Sequence, residues 1–266
     1  VVFLPASMIG IGLGMGIAGS GGGGGSASVR GPFPVNAVNF DGSNDRLQRA
    51  GDLTGVVNGD KFLASLWFNM AGSDGVLQNF IANGTLGYRI TRTAANRLLV
   101  RLRTSVPTNL WDFESTATFT VATNPGWNHL LVTANLVASP VAHIFVNDAV
   151  LAGTEATAPT TGDISWSAGN HFIGIDDSGL ARYDGDLSEL YFTDEFLDIS
   201  VESNRRKFID GDGFPVDVGS DGSLPTGTAP LVFFNGPTDT WHTNEGSGGG
   251  FTENGALTDA LTSPSD

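Results

Sequence analysis

The stretch GWNHLLVTANLVASPVAHIFVNDAVL, residues 126–151, decides the fold. Its first apolar run, GWNHLLVTANL, ends in a loop at Pro140. Val141 to Val146 follow, Asn147-Asp148 forms a tight turn, and Ala149 to Leu151 resume. Asn and Asp tolerate the left-handed backbone that a two-residue hairpin turn requires, so this spacing predicts antiparallel strands.

Working outward, the same grammar recurs on both sides. FLASLWFNM, residues 62–70, alternates so that Phe62, Ala64, Leu66 and Phe68 share one face. Val76 to Ala82 precede an Asn83-Gly84 turn, and Leu86 to Thr91 follow. In RLLVRLR, residues 97–103, Leu98, Val100 and Leu102 face inward, with Arg97, Arg101 and Arg103 on the opposite face. Ala37 to Phe40, Trp111 to Phe119, Phe172 to Ile175 and Leu187 to Phe192 complete the strand-like runs. Many short strands without a βαβ rhythm predict a sandwich or barrel. Only VESNRRKFI, residues 201–209, reads as helix, with Ser200 as its N-cap.

Composition agrees. Hydrophobic residues make up 40% of the 266, charged residues only 15%, and there are 37 glycines. Thirteen Lys plus Arg against 28 Asp plus Glu give a net charge of −15, which argues against nucleic acid as a partner. The chain has no cysteine, which excludes disulfides, zinc–thiolate sites and thiol nucleophiles.

Four segments in order resemble the laminin-G/concanavalin-A-like jelly-roll family. VNFDGSNDRL, residues 38–47, resembles the family's opening FDG-x-x-D strand and loop, and FLASLWFNM its second core strand. Residues 126–151 resemble its G-W-H-H hairpin, with Asn147-Asp148 in place of the usual Asn-Gly. FIGIDDSGLARYDGDLSELYFTDEFLDIS, residues 172–200, resembles its closing segment. The resemblance spans about residues 37–200. It implies an all-β, two-sheet antiparallel jelly-roll sandwich over residues 35–210.

Flanking segments differ in kind. Residues 1–34 form a hydrophobic, glycine-rich arm whose first charged side chain is Arg30. Pro5 and the glycines at 10, 12, 14, 16 and 19 oppose a transmembrane helix, and a charged signal-peptide start is missing. Glycine-rich chain is ordered only by partners. The arm is therefore expected to pack against other chains or copies of itself through Phe3, Leu4, Met8, Ile9, Ile11, Leu13, Met15 and Ile17, in a symmetric assembly. Membrane insertion is the competing reading. Residues 211–266 form an irregular C-terminal extension, packed on the sandwich or on partners, in which Leu231 to Phe234 and Phe251 to Leu257 can form strands. The stretch from Asn204 to Gly236 and GSGGGFTENGALT are similar to the C-terminal region of bacteriophage-encoded members of the family.

For chemistry, the family's related glucanases carry Glu-x-Asp-x-x-Glu on one strand. Glu189, Asp194 and Glu195 do not match that spacing. No nucleophile elbow, HExxH or P-loop is present, and His129 and His143 read as packing or edge residues. Asp41, Asn44, Asp45, Asp184 and Asp186 are candidate calcium ligands, because calcium takes several oxygens and family members often bind it at a sandwich rim. Asp176 and Asp177 stand in the same acidic segment. Asp41 and Asn44 also fit plain Asx-turns. Trp111, Trp166 and Trp241, in loop-like contexts, are candidate glycan platforms.

The expectation is a non-enzymatic bacteriophage virion protein, of the tail, tail tip or head surface, displaying a lectin-like domain toward host-surface glycans. A secreted bacterial carbohydrate-binding module or adhesin is the alternative, and a glycoside hydrolase the more distant one.

Overall fold

The computed structural model describes residues 33–84, 87–167 and 169–266. The arm residues Phe3, Leu4, Met8, Ile9, Ile11, Leu13, Met15 and Ile17 lie outside the described residues.

Two antiparallel sheets of eight strands face one another. The first holds β1 (Ala37–Asp41), β3 (Lys61–Met70), β8 (Asn128–Asn135), β9 (Val141–Val146), β10 (Ala149–Val150), β13 (Asp184–Thr193), β14 (Val232–Phe234) and β16 (Thr258–Asp259). The second holds β2 (Arg46–Arg49), β4 (Gln78–Asn83), β5 (Tyr88–Arg92), β6 (Arg97–Arg103), β7 (Asn109–Thr118), β11 (Gly153–Thr157), β12 (His171–Ile173) and β15 (Thr252–Asn254). Spatial order is β10-β9-β8-β3-β13-β1-β16 in the first sheet, with β14 also on β13. In the second it is β11-β7-β6-β5-β4-β12-β2-β15. This is the jelly-roll sandwich that the strand pattern predicts.

The hairpin of residues 126–151 forms as read. Asn147 and Asp148 both adopt positive φ, 49° and 62°, the geometry whose twist matches the flanking strands. Asn147 Oδ1 also accepts the His129 amide at 2.8 Å, tying the turn back to β8.

Alternation fills the space between the sheets. Phe62, Ala64, Leu66 and Phe68 meet Leu98, Val100 and Leu102 within one core cluster. The opposite face of β3 is buried too, against expectation for a two-layer sandwich. Leu63, Leu131, Phe145, Tyr191 and Phe233 form a second cluster with Ile199, Phe208 and Val218. The chain after β13 thus straps the outer face of the first sheet, and β3 is covered on both sides.

The helix expected over 201–209 is reduced to α1 (Glu202–Arg205), with Val201 at the N-cap and no side-chain cap. Ser200 Oγ bonds Asp198 Oδ1 at 2.6 Å, so it is not available to cap the helix. The strap is instead held by Asp148, which pairs with Arg205 Nε at 2.5 Å and Arg206 Nη2 at 2.7 Å. The Arg205 guanidinium also lies 4.4 Å from the Phe145 ring centroid.

Residues 211–266 contribute strands to both sheets. β14 pairs β13, β15 pairs β2, and β16 pairs β1.

Candidate functional site

On the outer face of the second sheet, register builds a row of polar side chains. Arg89 on β5 stands opposite Arg101 on β6, which stands opposite Asp112 on β7. Arg103 lies two residues along β6, on the same face. Asn79 on β4 stands opposite Thr91, one row away. The loop after β12 supplies Asp176, Asp177 and Ser178 as the facing wall. Together these line an open cleft of about 280 Å³.

Hydrogen bonds beneath the cleft fix two of the three arginines. Arg101 donates to Asp112 Oδ2 from Nε at 2.9 Å and pairs with it through Nη2 at 2.7 Å. Asn109 Nδ2 donates to the same oxygen at 2.8 Å, and Asn109 Oδ1 accepts from Arg103 Nε at 2.7 Å. Arg89 makes no side-chain hydrogen bond or ion pair among the described residues, and its buried Nε has no acceptor. Burial first, then the charges of Arg101 and Arg103, lower the Arg89 pKa. Asn79 is almost fully buried; its Oδ1 accepts from Thr91, but its Nδ2 has no partner. An unsatisfied buried donor costs about 1–3 kcal/mol, and two of them lie beneath this cleft.

Gly87 lets the chain pass this cleft. Its φ is +84°, and a Cβ there would lie 2.2 Å from the Ser165 carbonyl oxygen.

The expected glycan platforms are elsewhere. Trp111, Trp166 and Trp241 are buried in the core, at 1%, 0% and 0% exposure. Trp166 stacks on Phe62 at 5.6 Å, and Trp241 packs against Phe234 and Phe40. Trp111 lies on β7 and donates from Nε1 to Glu155, whereas Trp166 and Trp241 come from loop segments; all three indoles are buried, so none offers a face to a sugar.

The expected calcium ligands lie near one another, with Asp41 opposite Asp184, but each is engaged within the protein. Asp41 Oδ1 accepts the Ser43 and Asn44 amides, an Asx-turn, and the Ser43 bond leads in lowering its pKa. The Asn44 side chain is exposed. Asp45 accepts the amides of Asp41 and Ala256, and Asp186 those of the Asn39 and Asn69 side chains. Asp184 Oδ2 accepts from Ser73 Oγ at 2.7 Å. Among the described residues no three acidic, histidine or cysteine side chains converge to hold a metal ion. These carboxylates close loops and strands instead, and the residues present do not fit calcium.

Two other groups carry perturbed chemistry. Ser65 Oγ and His129 Nε2 lie 2.8 Å apart, and burial lowers the His129 pKa to about 3. Glu189 sits beside them, its pKa raised to about 8 by burial and then by Asp217. Both lie under the strap, around a cavity of about 10 Å³ closed by Phe208 and Val218, too small for a sugar ring.

No protein-family model and no curated protein matches the chain. Among solved structures it is similar to a putative carbohydrate binding protein from Bacteroides ovatus ATCC 8483, with a TM-score of 0.60 and 13% identity. That match covers 87% of this chain and spans 62% of the other protein's length. It is also similar to a heptameric SAP-like pentraxin from Limulus polyphemus, with a TM-score of 0.55 and 12% identity over 90% of this chain and 99% of the other. The fold is a two-sheet antiparallel jelly roll. Neither of these two proteins is viral.

Period-2 alternation in RLLVRLR alone turns Arg101 and Arg103 outward and assigns them no role. It misses Asn79 and Arg89, because their convergence depends on the pairing register of β4, β5 and β6.

Proposed function

We propose that this chain is a non-enzymatic saccharide-binding module whose ligand occupies the cleft on the second sheet. One observation carries the reading. The outer face of the first sheet is strapped by the chain, whereas that of the second holds an open cleft lined by guanidinium, carboxylate, amide and hydroxyl groups. Such groups match sugar hydroxyls, which donate and accept in fixed directions. The carbohydrate-binding description of the Bacteroides protein of similar fold supports the same reading.

Titrating the chain with a glycan panel, followed by amide NMR, tests it. Shifts around Asn79, Arg89 and Arg101 are expected. Binding that perturbs only other faces, or no binding across the panel, would sink it. Absence of turnover of the bound glycan is expected, because the buried Glu189 has no room for a sugar beside it.

Display on a bacteriophage particle, with residues 1–34 packed among copies and partner chains, is the second part of this proposal. Its support is the similarity of the tail to phage-encoded proteins. Mass spectrometry of purified particles is expected to find the chain. Recovery only from a bacterial secretome would replace this part with the secreted module or adhesin.

A further inference from the structure

Resting on the saccharide-binding reading, we propose that the cleft selects a sugar carrying one carboxylate, held by Arg89, Arg101 and Arg103. Three guanidinium groups on adjacent strands are an unusual concentration in a chain with 13 cationic side chains and a net charge of −15. Like charges directly opposite one another destabilise a sheet, yet Arg89 and Arg101 are cross-strand partners. Asp112 offsets one of them, through Arg101. Arg89 is left with no acceptor among the described residues. A ligand carboxylate supplies what Arg89 lacks: acceptor oxygens that match the planar guanidinium fork.

The facing wall limits the charge of that ligand. Asp176 Oδ1 is engaged with Ser178 Oγ at 2.6 Å and with the Leu180 amide at 3.3 Å, while Asp177 is exposed at the rim. Counting Asp112, the acidic groups roughly balance the three arginines. A multiply sulfated chain would meet Asp176 and Asp177 with like charge. A uronic or sialic acid places one carboxylate on the arginine side and its hydroxyls toward the aspartates. The cleft volume, just below the ~300–1,000 Å³ range of ligand sites, suits one or two sugar rings.

Isothermal titration of the full chain with trigalacturonate and 3′-sialyllactose, against neutral galactotriose and lactose, tests this. At least one acidic glycan is expected to bind about tenfold or more tightly than its neutral counterpart, with a preference that falls with added salt. In Arg89→Gln the preference is expected to vanish, while the melting temperature stays near that of the parent because no protein partner is lost. Equal binding of acidic and neutral glycans, with NMR shifts still at the cleft, would overturn the acid inference and leave the saccharide reading standing. A preference that survives both Arg89→Gln and Arg103→Gln would overturn it too. Failure of all four glycans to bind would overturn the inference and count against the saccharide reading itself.

Discussion

Glu189 holds a backbone conformation that few side chains tolerate, with φ at +47°. It lies where the pairing of β13 with β3 shifts register between Ser188 and Tyr191, a bulge that turns its carboxyl under the strap. Oε2 has no partner there, and with a pKa of about 8 the group is mostly protonated at neutral pH. A carboxyl with a raised folded pKa contributes stability that is full below its unfolded value and is lost as pH rises through about 8. His129 and His171 act in the other direction. Burial lowers them to about 3 and about 4, so their contribution is full above the unfolded histidine value and is lost as pH falls. Denaturant stability is therefore expected to peak near pH 6–7, around the unfolded histidine pKa of about 6.5. It should decline toward pH 8 by up to about 1.4 kcal/mol per pH unit, and Glu189→Gln should flatten that alkaline limb while steepening the acid limb above the unfolded carboxyl value. A limb unchanged in the variant would remove Glu189 as its cause. Trp166 makes a second test at this scale. Trp166→Ala is expected to destabilise by about 3–5 kcal/mol in urea unfolding, as for a core aromatic. A loss of glycan affinity at unchanged stability would instead restore the platform role.

At the scale of elements, the Asn147-Asp148 turn links the sandwich to its strap. Burial alone would raise the Asp148 pKa, but hydrogen bonds from Arg206 and Arg205 hold it below the usual value. Asp148→Asn keeps a residue suited to positive φ and removes the charge. It is expected to lose about 1–3 kcal/mol, read as a lower denaturant midpoint, with faster amide exchange in residues 199–209 than in β8. Uniform change across both segments would mean that the strap does not open separately. The elements themselves were legible where one face is apolar: β3, β6 and the 126–151 hairpin follow period-2 alternation. The strap was not legible, because Ile199, Phe208 and Val218 are widely spaced in sequence and bury only against a sheet face that is itself apolar. The cleft was half legible. Alternation alone turns Arg101 and Arg103 outward, but Arg89 and Asn79 join them through pairings between strands. The tryptophans misled because a stretch without strand pattern can still cross a core, and Trp166 and Trp241 do so from the loops at its ends.

Across the whole molecule, electrostatics are divided. The overall acidity keeps anionic surfaces at a distance, while the cleft concentrates cations, so the acid preference should be lost at high salt while neutral binding persists. Closure of the sheets is a second global property. β16 flanks β1 and β15 flanks β2, and Asp45 Oδ1 accepts the Ala256 amide across 211 residues of chain. Removing residues 250–266 would uncover the edges of both opening strands, and concentration-dependent light scattering is expected to rise in that variant. A monodisperse truncated chain would show that β1 and β2 tolerate exposure. The same stitching sets an order of events during biosynthesis. β1 and β2 leave the ribosome early and must wait while more than 200 residues follow before their outer partners are made. Docking of those outer partners is thus a late step, and a slow search for distant partners governs it. Until β15 and β16 emerge, the nascent chain carries two uncovered strand edges, the interval in which a chaperone has the most to hold.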